Sequence, residues 1–79
     1  PLRVLVVEDE ALVAAELELL VEEAGHQPVG SAIDSEEAVE LGQATRPDLA
    51  FVDVHLGDGP TGVETARRLT DLGVRVIFM

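Results

Sequence analysis

Apolar residues follow two different spacings along the chain. Short continuous apolar runs alternate with longer stretches in which apolar residues recur every three or four positions. The runs are typical of strands buried on both faces of a parallel sheet, and the longer spacing is typical of amphipathic helices. The runs predict strands over residues 4–7, 49–52 and 74–79. Residues 28–33 form a weaker candidate, because a proline and a glycine interrupt them.

Three helices are predicted between these strands. The second begins after Asp34, where Glu37 completes a variant of the capping box, and it runs to about Thr45 before Pro47. The third begins with another capping box, formed by Thr61 and Glu64, and ends at Gly73. The first starts near residue 11 and ends at Gly25, and its apolar stripe is expected to be core: Leu12, Val13, Leu17, Leu20, Val21 and Ala24.

The predicted order is therefore βαβαβαβ with short connections. Strands that alternate with helices favour a parallel sheet covered by helices on both faces. The length of 79 residues allows one small domain, and the hydrophobic content of 47% is that of a globular chain.

Charge narrows the possible partners. The chain has 16 acidic residues against 5 arginines, and its net charge is −11. This surface repels phosphate backbones and anionic lipid, so direct binding of this segment to nucleic acid or membrane is not expected. No cysteine is present, which removes thiolate metal sites. No run reaches the roughly 20 apolar residues of a membrane span, and no signal-peptide pattern opens the chain, so a cytoplasmic location is expected.

Two of the predicted strands end in acidic residues. The first is followed by Glu8 and Asp9, and the third by Asp53. If these strands are neighbours, the three carboxylates meet at the carboxyl edge of the sheet, where ligands bind in α/β folds. A hard cation would offset their repulsion, and an open site with few oxygen ligands suits Mg²⁺. A carboxylate beside Mg²⁺ can also act as a nucleophile that forms an aspartyl phosphate.

Simpler interpretations of these residues remain open at this point. Asp53 can be a loop acid without chemistry, and Glu8, Asp9 and Glu10 can be favourable charges at a helix N-terminus. The His55 side chain has no neighbouring histidine or cysteine in the sequence, so it is a poor zinc ligand. A calcium loop beginning at Asp53 fails, because Asp58 occupies the position that requires glycine.

Two segments resemble the receiver domain of bacterial response regulators. VLVVEDE, residues 4–10, is similar to the first strand and acidic pair of that family. LAFVDVHLGDGPTG, residues 49–62, is similar to the third strand, the phosphoacceptor aspartate and the following loop. The resemblance implies an α/β, flavodoxin-like, doubly wound parallel sheet of order 2-1-3-4, with the fifth strand absent from this chain. Residues 1–79 would form the N-terminal portion of the domain.

The resemblance also implies a role for each site residue. Asp53 would be the phosphoacceptor and an Mg²⁺ ligand, and Asp9 would be a direct Mg²⁺ ligand. Glu8 would hold the metal through a water, and His55 would supply its backbone carbonyl. The module would take a phosphoryl group from a phosphohistidine of a histidine kinase or histidine phosphotransfer protein in a phosphorelay. Its first helix would contribute to docking that donor, and it would not be an enzyme beyond self-phosphorylation and slow dephosphorylation at Asp53.

Departures from the family pattern concern the loop and the end of the chain. Gly57 stands where the family usually has proline, and Gly62 is the ninth residue after Asp53 instead of the eighth. The switch Ser or Thr and the lysine of the family would lie beyond Met79, so phosphotransfer by this segment alone is expected to be weak. An open fourth-strand edge would favour a homodimer, a strand-exchanged assembly or a continuing chain.

Two other functions compete with the phosphoacceptor role. A Mg²⁺-dependent phosphatase with an aspartyl-phosphate intermediate commonly has a second aspartate two residues after the nucleophile, and His55 stands there. A degenerate receiver that serves only as a binding surface would not need the acidic residues Glu8, Asp9 and Asp53.

Overall fold

The computed structural model describes residues 1–57 and 61–79. The predicted order of strands and helices is confirmed, with boundaries within a few residues of those expected. Residues 58–60 lie outside the described residues, and part of the predicted glycine-rich loop falls on them, including Asp58. No helix in the described ranges is long and apolar enough to cross a bilayer. The elements are β1 (Arg3–Val7), α1 (Ala11–Glu23), β2 (Gln27–Ala32), α2 (Ser35–Thr45), β3 (Leu49–Val52), α3 (Thr61–Asp71) and β4 (Arg75–Phe78).

The strands form one parallel sheet in the order β2-β1-β3-β4, as the resemblance implied. β1 lies between β2 and β3, with Val4 opposite Leu49 and Val7 opposite Val52. The register of β2 against β1 shifts between Val4 and Leu5, so that Val29 is the extra residue. Pro28 and Gly30 are tolerated there because β2 is an edge strand among the described strands of the sheet.

The main core lies between the sheet and the pair α2 and α3. Side chains that alternate along β1 and β3 point to this face, as expected for a period of two. Helices α2 and α3 contact each other as well as the strands beneath them. The buried members of this core are Leu5, Val7, Ala32, Ala38, Ala50, Val52, Leu56, Leu69 and Val74.

Helix α1 covers the opposite face alone among the described helices, and it contacts β1 and β2. The expectation that its whole apolar stripe is core is therefore wrong. Ala14 and Val21 are buried, whereas Leu12 is 80% exposed and Leu20 is 59% exposed. The physical reason is that a single helix on a sheet buries only the side it turns toward the strands. An apolar groove remains beside it, lined by residues that include Leu17, Leu20, Val4 and Phe51.

The two predicted capping boxes have different outcomes. Asp34 is the N-cap of α2, and its carboxylate accepts the Glu37 N–H at 2.9 Å. Glu37 in turn accepts the Ile33 N–H at 3.2 Å. In a standard capping box this second bond comes from the N-cap residue itself, here Asp34. The predicted box is therefore confirmed, with its second bond one residue earlier in the chain. The box at Thr61 is wrong: Thr61 is already helical, and its hydroxyl donates to the carbonyl of Leu56. Glu64 instead pairs with Arg67 at 2.6 Å.

Basic side chains gather at the amino ends of the strands. Arg3 opens β1, Arg75 opens β4, and Arg46 precedes β3. The Arg3 guanidinium donates to the carbonyls of Thr45 and Arg46, which end α2. These contacts satisfy carbonyl groups that a helix C-terminus leaves without partners. The acidic residues that follow β1 and β3 lie at the opposite end of the sheet.

Candidate functional site

Backbone hydrogen bonds between β2, β1 and β3 continue one residue beyond the carboxyl ends of β1 and β3. The Glu8 N–H donates to the Ala32 carbonyl at 2.9 Å, and the Asp53 N–H donates to the Val7 carbonyl at 3.0 Å. These bonds place Glu8, Asp9 and Asp53 at one edge of the sheet. One carboxylate oxygen from each residue lies within 4.8 Å of those of the other two. The structure therefore brings together the three acids that the sequence singled out.

Glu8 is the buried member of this acidic cluster, which we define as Glu8, Asp9 and Asp53. It is 5% exposed, and its Oε1 accepts the Glu10 N–H at 3.1 Å. Burial raises the pKa of the Glu8 carboxyl above its ordinary value, and the neighbouring Asp9 and Asp53 raise it further. The bond from Glu10 opposes this shift and lowers the pKa, because it favours the carboxylate. The cluster thus holds negative charge that nothing in its own side chains offsets.

Asp53 is half-buried directly after β3. Its Oδ1 accepts the His55 N–H at 2.9 Å, which closes a local turn of the kind that aspartate forms with backbone two residues on. The turn fixes the carboxylate beside Glu8 and Asp9. The His55 side chain is exposed and lies outside the acidic cluster.

Close backbone packing holds the loop after β3 against the start of α3. A Cβ built on Gly62 would lie 2.3 Å from the Asp53 carbonyl oxygen and 2.7 Å from that of Val54. Real Cβ atoms do not approach so closely, so only glycine fits at this position. Gly62 thus allows this close backbone approach as the ninth residue after Asp53, where the family pattern has glycine at the eighth.

Sequence reasoning missed two features of the segment after β3, the burial of Leu56 and the contact of Thr61 with the Leu56 carbonyl. Leu56 is 1% exposed and belongs to the main core, and the Thr61 hydroxyl bonds its carbonyl. The signal that could have found Leu56 is its apolar side chain between His55 and Gly57, beyond the end of β3. The bond from Thr61 had no sequence signal, because threonine at a helix start is equally typical of a cap.

The donor set of the acidic cluster fits Mg²⁺. Its ligands are hard carboxylate oxygens close enough to share one ion, and no sulfur is available. Asp9 is exposed and Asp53 is half-buried, so an ion there would keep access to water and to a phosphate. The raised pKa of Glu8 shows the uncompensated burial and repulsion that a divalent cation would relieve.

Comparisons with known proteins point to one family. The model of the response regulator receiver domain matches residues 4–79. The phyllosphere-induced regulator PhyR of Methylorubrum extorquens is 40% identical over 78 residues, which are 96% of this chain and 29% of that protein. The transcriptional regulatory protein PdtaR of Mycobacterium tuberculosis is 46% identical over 56 residues, which are 71% of this chain and 27% of that protein.

Solved structures agree with this match. The anti-anti-sigma factor PhyR of Bartonella quintana, crystallised with the anti-sigma factor NepR, superposes with a TM-score of 0.91 at 35% identity. The superposition covers 98% of this chain and 32% of that protein. The chain thus spans less than a third of these full-length relatives, and their activities belong to much longer molecules.

Proposed function

Because the chain belongs to the family of response regulator receiver domains, we propose that it is a phosphoacceptor module in which Asp53 receives the phosphoryl group. The observation that carries the proposal is the acidic cluster: one oxygen each of Glu8, Asp9 and Asp53 lies within 4.8 Å of the others at the carboxyl edge of the sheet. Asp53 is half-buried directly after the carboxyl end of β3, and the turn with His55 holds its carboxylate in place.

The chemistry proposed for Asp53 is a single phosphoryl transfer. A carboxylate oxygen of Asp53 attacks the phosphorus of a phosphohistidine, an acyl phosphate P–O bond forms, and the P–N bond to the donor imidazole breaks. The electron pair of the broken bond stays on the imidazole, which takes a proton as it leaves. The product is a signalling state, because the added charge biases the surrounding structure between two conformations.

The residues that would hold Mg²⁺ are Asp9 and Asp53 through their carboxylates, Glu8 through a water and His55 through its backbone carbonyl. When bound, the ion supplies charge that neutralises the transferring phosphoryl oxygens. The Glu8 side chain is one carbon longer than that of an aspartate. Its bond to the Glu10 N–H holds its carboxylate close to the cluster.

The proposed donor is a histidine kinase or a histidine phosphotransfer protein. Helix α1 begins directly after the acidic cluster, and Leu12 in its first turn is 80% exposed. An exposed leucine in the first turn after Glu8 and Asp9 suits a protein donor that must bring its phosphohistidine to the carboxylate. Binding to an anti-sigma factor, as in the PhyR–NepR structure, would belong to the output of a longer protein that contains this module.

The test is Mg²⁺-dependent labelling of Asp53. Wild-type protein incubated with acetyl phosphate and Mg²⁺ should gain one phosphoryl group, detected by intact mass and by its loss in hydroxylamine. Asp53→Asn should gain none, and removal of Mg²⁺ with EDTA should also prevent labelling. Asp71→Asn is the matched control, because Asp71 is an exposed aspartate at the end of α3, outside the acidic cluster. Labelling of Asp53→Asn at the wild-type level would contradict the assignment.

A turnover assay separates the phosphatase alternative. A phosphatase turns over a phosphate monoester repeatedly, whereas a receiver is labelled once and loses its phosphate slowly. His55 occupies the place of the second aspartate that such phosphatases use, and its side chain is exposed and outside the cluster. Repeated release of phosphate from p-nitrophenyl phosphate, lost in Asp53→Asn, would favour the enzyme instead.

A further inference from the structure

We infer that the peptide between Val54 and His55 transmits the state of the Asp53 carboxylate to α3, and through α3 to α2. The inference rests on the proposed function, because the two states compared are the free and the phosphorylated carboxylate of Asp53. It adds a physical link from that carboxylate to the two helices that cover the main core.

The Val54–His55 peptide contacts the acidic cluster on one side and α3 on the other. Its N–H, which belongs to His55, donates to the Asp53 Oδ1 at 2.9 Å. Its carbonyl packs against Gly62 in the first turn of α3, where a Cβ built on Gly62 would lie 2.7 Å from the Val54 oxygen and 2.8 Å from the Val54 carbon. Because a peptide group is planar, its N–H and its carbonyl turn together. A change at the Asp53 carboxylate that rotates this peptide therefore moves its carbonyl relative to α3.

The contact at Gly62 has backbone on both sides, so no flexible side chain can absorb a movement there. The Asp53 carbonyl packs against Gly62 as well. The other end of the segment is also fixed, since the Asp53 N–H donates to the Val7 carbonyl of β1 at 3.0 Å. Close-packed groups of this kind transmit a displacement to their neighbours. Rotation of the Val54–His55 peptide should therefore displace the first turn of α3.

Helix α3 is packed closely on α2, so a displacement of α3 reaches α2. A Cβ built on Gly42 of α2 would lie 3.0 Å from the Cδ2 of Leu69, which is fully buried. At the start of α2, the Ser35 hydroxyl accepts from the Arg68 guanidinium at 3.1 Å. Helix α1, by contrast, contacts β1 and β2 among the described elements. The response to Asp53 should therefore appear in α3 and α2, and not in the second half of α1.

Phosphorylation changes the hydrogen bond that holds this peptide. In the free form the acceptor is a carboxylate oxygen, and hydrogen bonds to ionised groups are roughly twice as strong as those between neutral groups. An acyl phosphate on Asp53 removes the charge from the carboxyl group itself and leaves one carbonyl oxygen in place of two equivalent oxygens. The His55 N–H then has a weaker acceptor, so the peptide is freer to turn. The phosphoryl state of Asp53 thus biases the position of α3.

The experiment compares two aspartates of the same cluster by NMR of isotopically labelled protein in EDTA. Asp53→Ala removes the acceptor of the His55 N–H, so the His55 amide should exchange with water about tenfold faster, as expected for the loss of one hydrogen bond to a charged group. The methyl signals of Leu69 and the amide signal of Gly42 should shift with it. Asp9→Ala is the matched control, because Asp9 belongs to the same acidic cluster but is not the acceptor of that N–H. It should leave these signals near their wild-type positions.

A second arm uses wild-type protein with Mg²⁺ and beryllofluoride, a tetrahedral complex that mimics a phosphoryl group on a carboxylate. The signals of Leu69 and Gly42 should shift in the direction seen for Asp53→Ala, while the amides of residues 17–23 in α1 stay in place. Wild-type protein that does not respond to beryllofluoride contradicts the proposed function. The comparison of Asp53→Ala with Asp9→Ala still decides the inference in that case, because it involves no phosphoryl group.

Three results would overturn the inference. The first is an Asp53→Ala variant whose Leu69 and Gly42 signals match those of wild type, and the second is an equal shift of these signals in Asp9→Ala. The third is a shift of residues 17–23 with beryllofluoride as large as that of α3. If Asp53→Ala does not fold, Asp53→Asn takes its place, since it keeps an oxygen acceptor without charge. Its signals should shift in the same direction by a smaller amount, and wild-type positions there would equally overturn the inference.

Discussion

Gly62 packs directly on the backbone of Asp53, and a Cβ at Gly62 would lie 2.3 Å from the Asp53 carbonyl oxygen. This contact joins the start of α3 to the residue that we propose as phosphoacceptor. The obstacle is backbone, which cannot move aside as the end of a flexible side chain can. The position of α3 is therefore coupled to the orientation of the peptide that follows Asp53.

Gly62→Ala should destabilise the protein by about 3 kcal/mol or more, the upper range of overpacking costs, because a backbone segment must move. Urea unfolding followed by circular dichroism measures this change. Gly73→Ala is the control, since Gly73 has a φ of +85° and open space around its Cα. Its cost should stay near 1 kcal/mol, that of a left-handed conformation. A Gly62→Ala variant as stable as wild type would contradict the packing described here.

Asp34→Ala should cost about 1 kcal/mol of stability, the usual effect of removing an N-cap side chain. Its carboxylate bonds the Glu37 N–H at 2.9 Å at the start of α2. Glu10 provides the comparison because it is the N-cap of α1 and its side chain makes no capping bond. Glu10→Ala should therefore change the unfolding free energy by much less than Asp34→Ala, and equal losses would show that capping is not the cause.

Glu8→Gln should raise the free energy of unfolding at pH 7 in metal-free buffer. The pKa of Glu8 is raised by folding from an ordinary value of 4.5, so the folded state binds the proton more tightly than the unfolded state. Ionisation of Glu8 therefore costs stability as the pH rises above that value, and the cost is complete above the raised pKa. The advantage of Glu8→Gln should be absent at low pH and grow across this interval.

Thermal unfolding from pH 3 to pH 8 in EDTA tests this dependence on Glu8. With saturating Mg²⁺, wild type should become more stable than Glu8→Gln. The ion binds the wild-type acidic cluster more tightly, and tighter binding to the folded state raises the free energy of unfolding more. Glu40→Gln is the control, since Glu40 is exposed on α2. A constant difference between Glu8→Gln and wild type at every pH would exclude ionisation as its origin.

Leu12→Ser should slow phosphotransfer from a protein donor without slowing labelling by acetyl phosphate. Leu12 is 80% exposed in the first turn of α1, so its loss removes contact area from a protein partner and leaves Asp53 in place. A fall of roughly tenfold in kcat/KM with a histidine kinase is expected, about 1.4 kcal/mol. Val63→Ser, exposed on α3, is the control for apolar loss elsewhere. Equal slowing with acetyl phosphate would place Leu12 in the chemistry and not in docking.

The fold was predictable because local patterns and connectivity agree. Apolar runs marked the strands, Asp34 and Glu37 marked the start of α2, and the acids after two strands marked the functional edge. The capping box predicted at Thr61 was wrong because the Thr61 hydroxyl bonds the Leu56 carbonyl instead. That contact depends on tertiary packing, which the local sequence does not show. Leu12 and Leu20 were misjudged because helical spacing shows which residues share a side of α1, but not how much of that side a single sheet can cover.

The sequence predicted which three residues form the acidic cluster, but not the contacts that hold the loop beside it. Adjacent parallel strands bring their carboxyl ends together, so Glu8, Asp9 and Asp53 had to meet once β1 and β3 were neighbours. The Leu56 anchor and the packing of Gly62 on two carbonyls depend on the path of the loop. No periodicity encodes that path, and the spacing of nine residues from Asp53 to Gly62 even departs from the family pattern.

Three arginines lie at the amino ends of the strands and the acidic cluster lies at the carboxyl ends, so negative charge is less offset at the end where Asp53 lies. A net charge of −11 attracts cations to the whole surface, but Arg3, Arg46 and Arg75 oppose that attraction at one end only. An approaching divalent ion is therefore guided toward the end where Asp53 lies, and an anionic small donor is turned away from it. Added salt should slow capture of Mg²⁺ and ease the approach of acetyl phosphate.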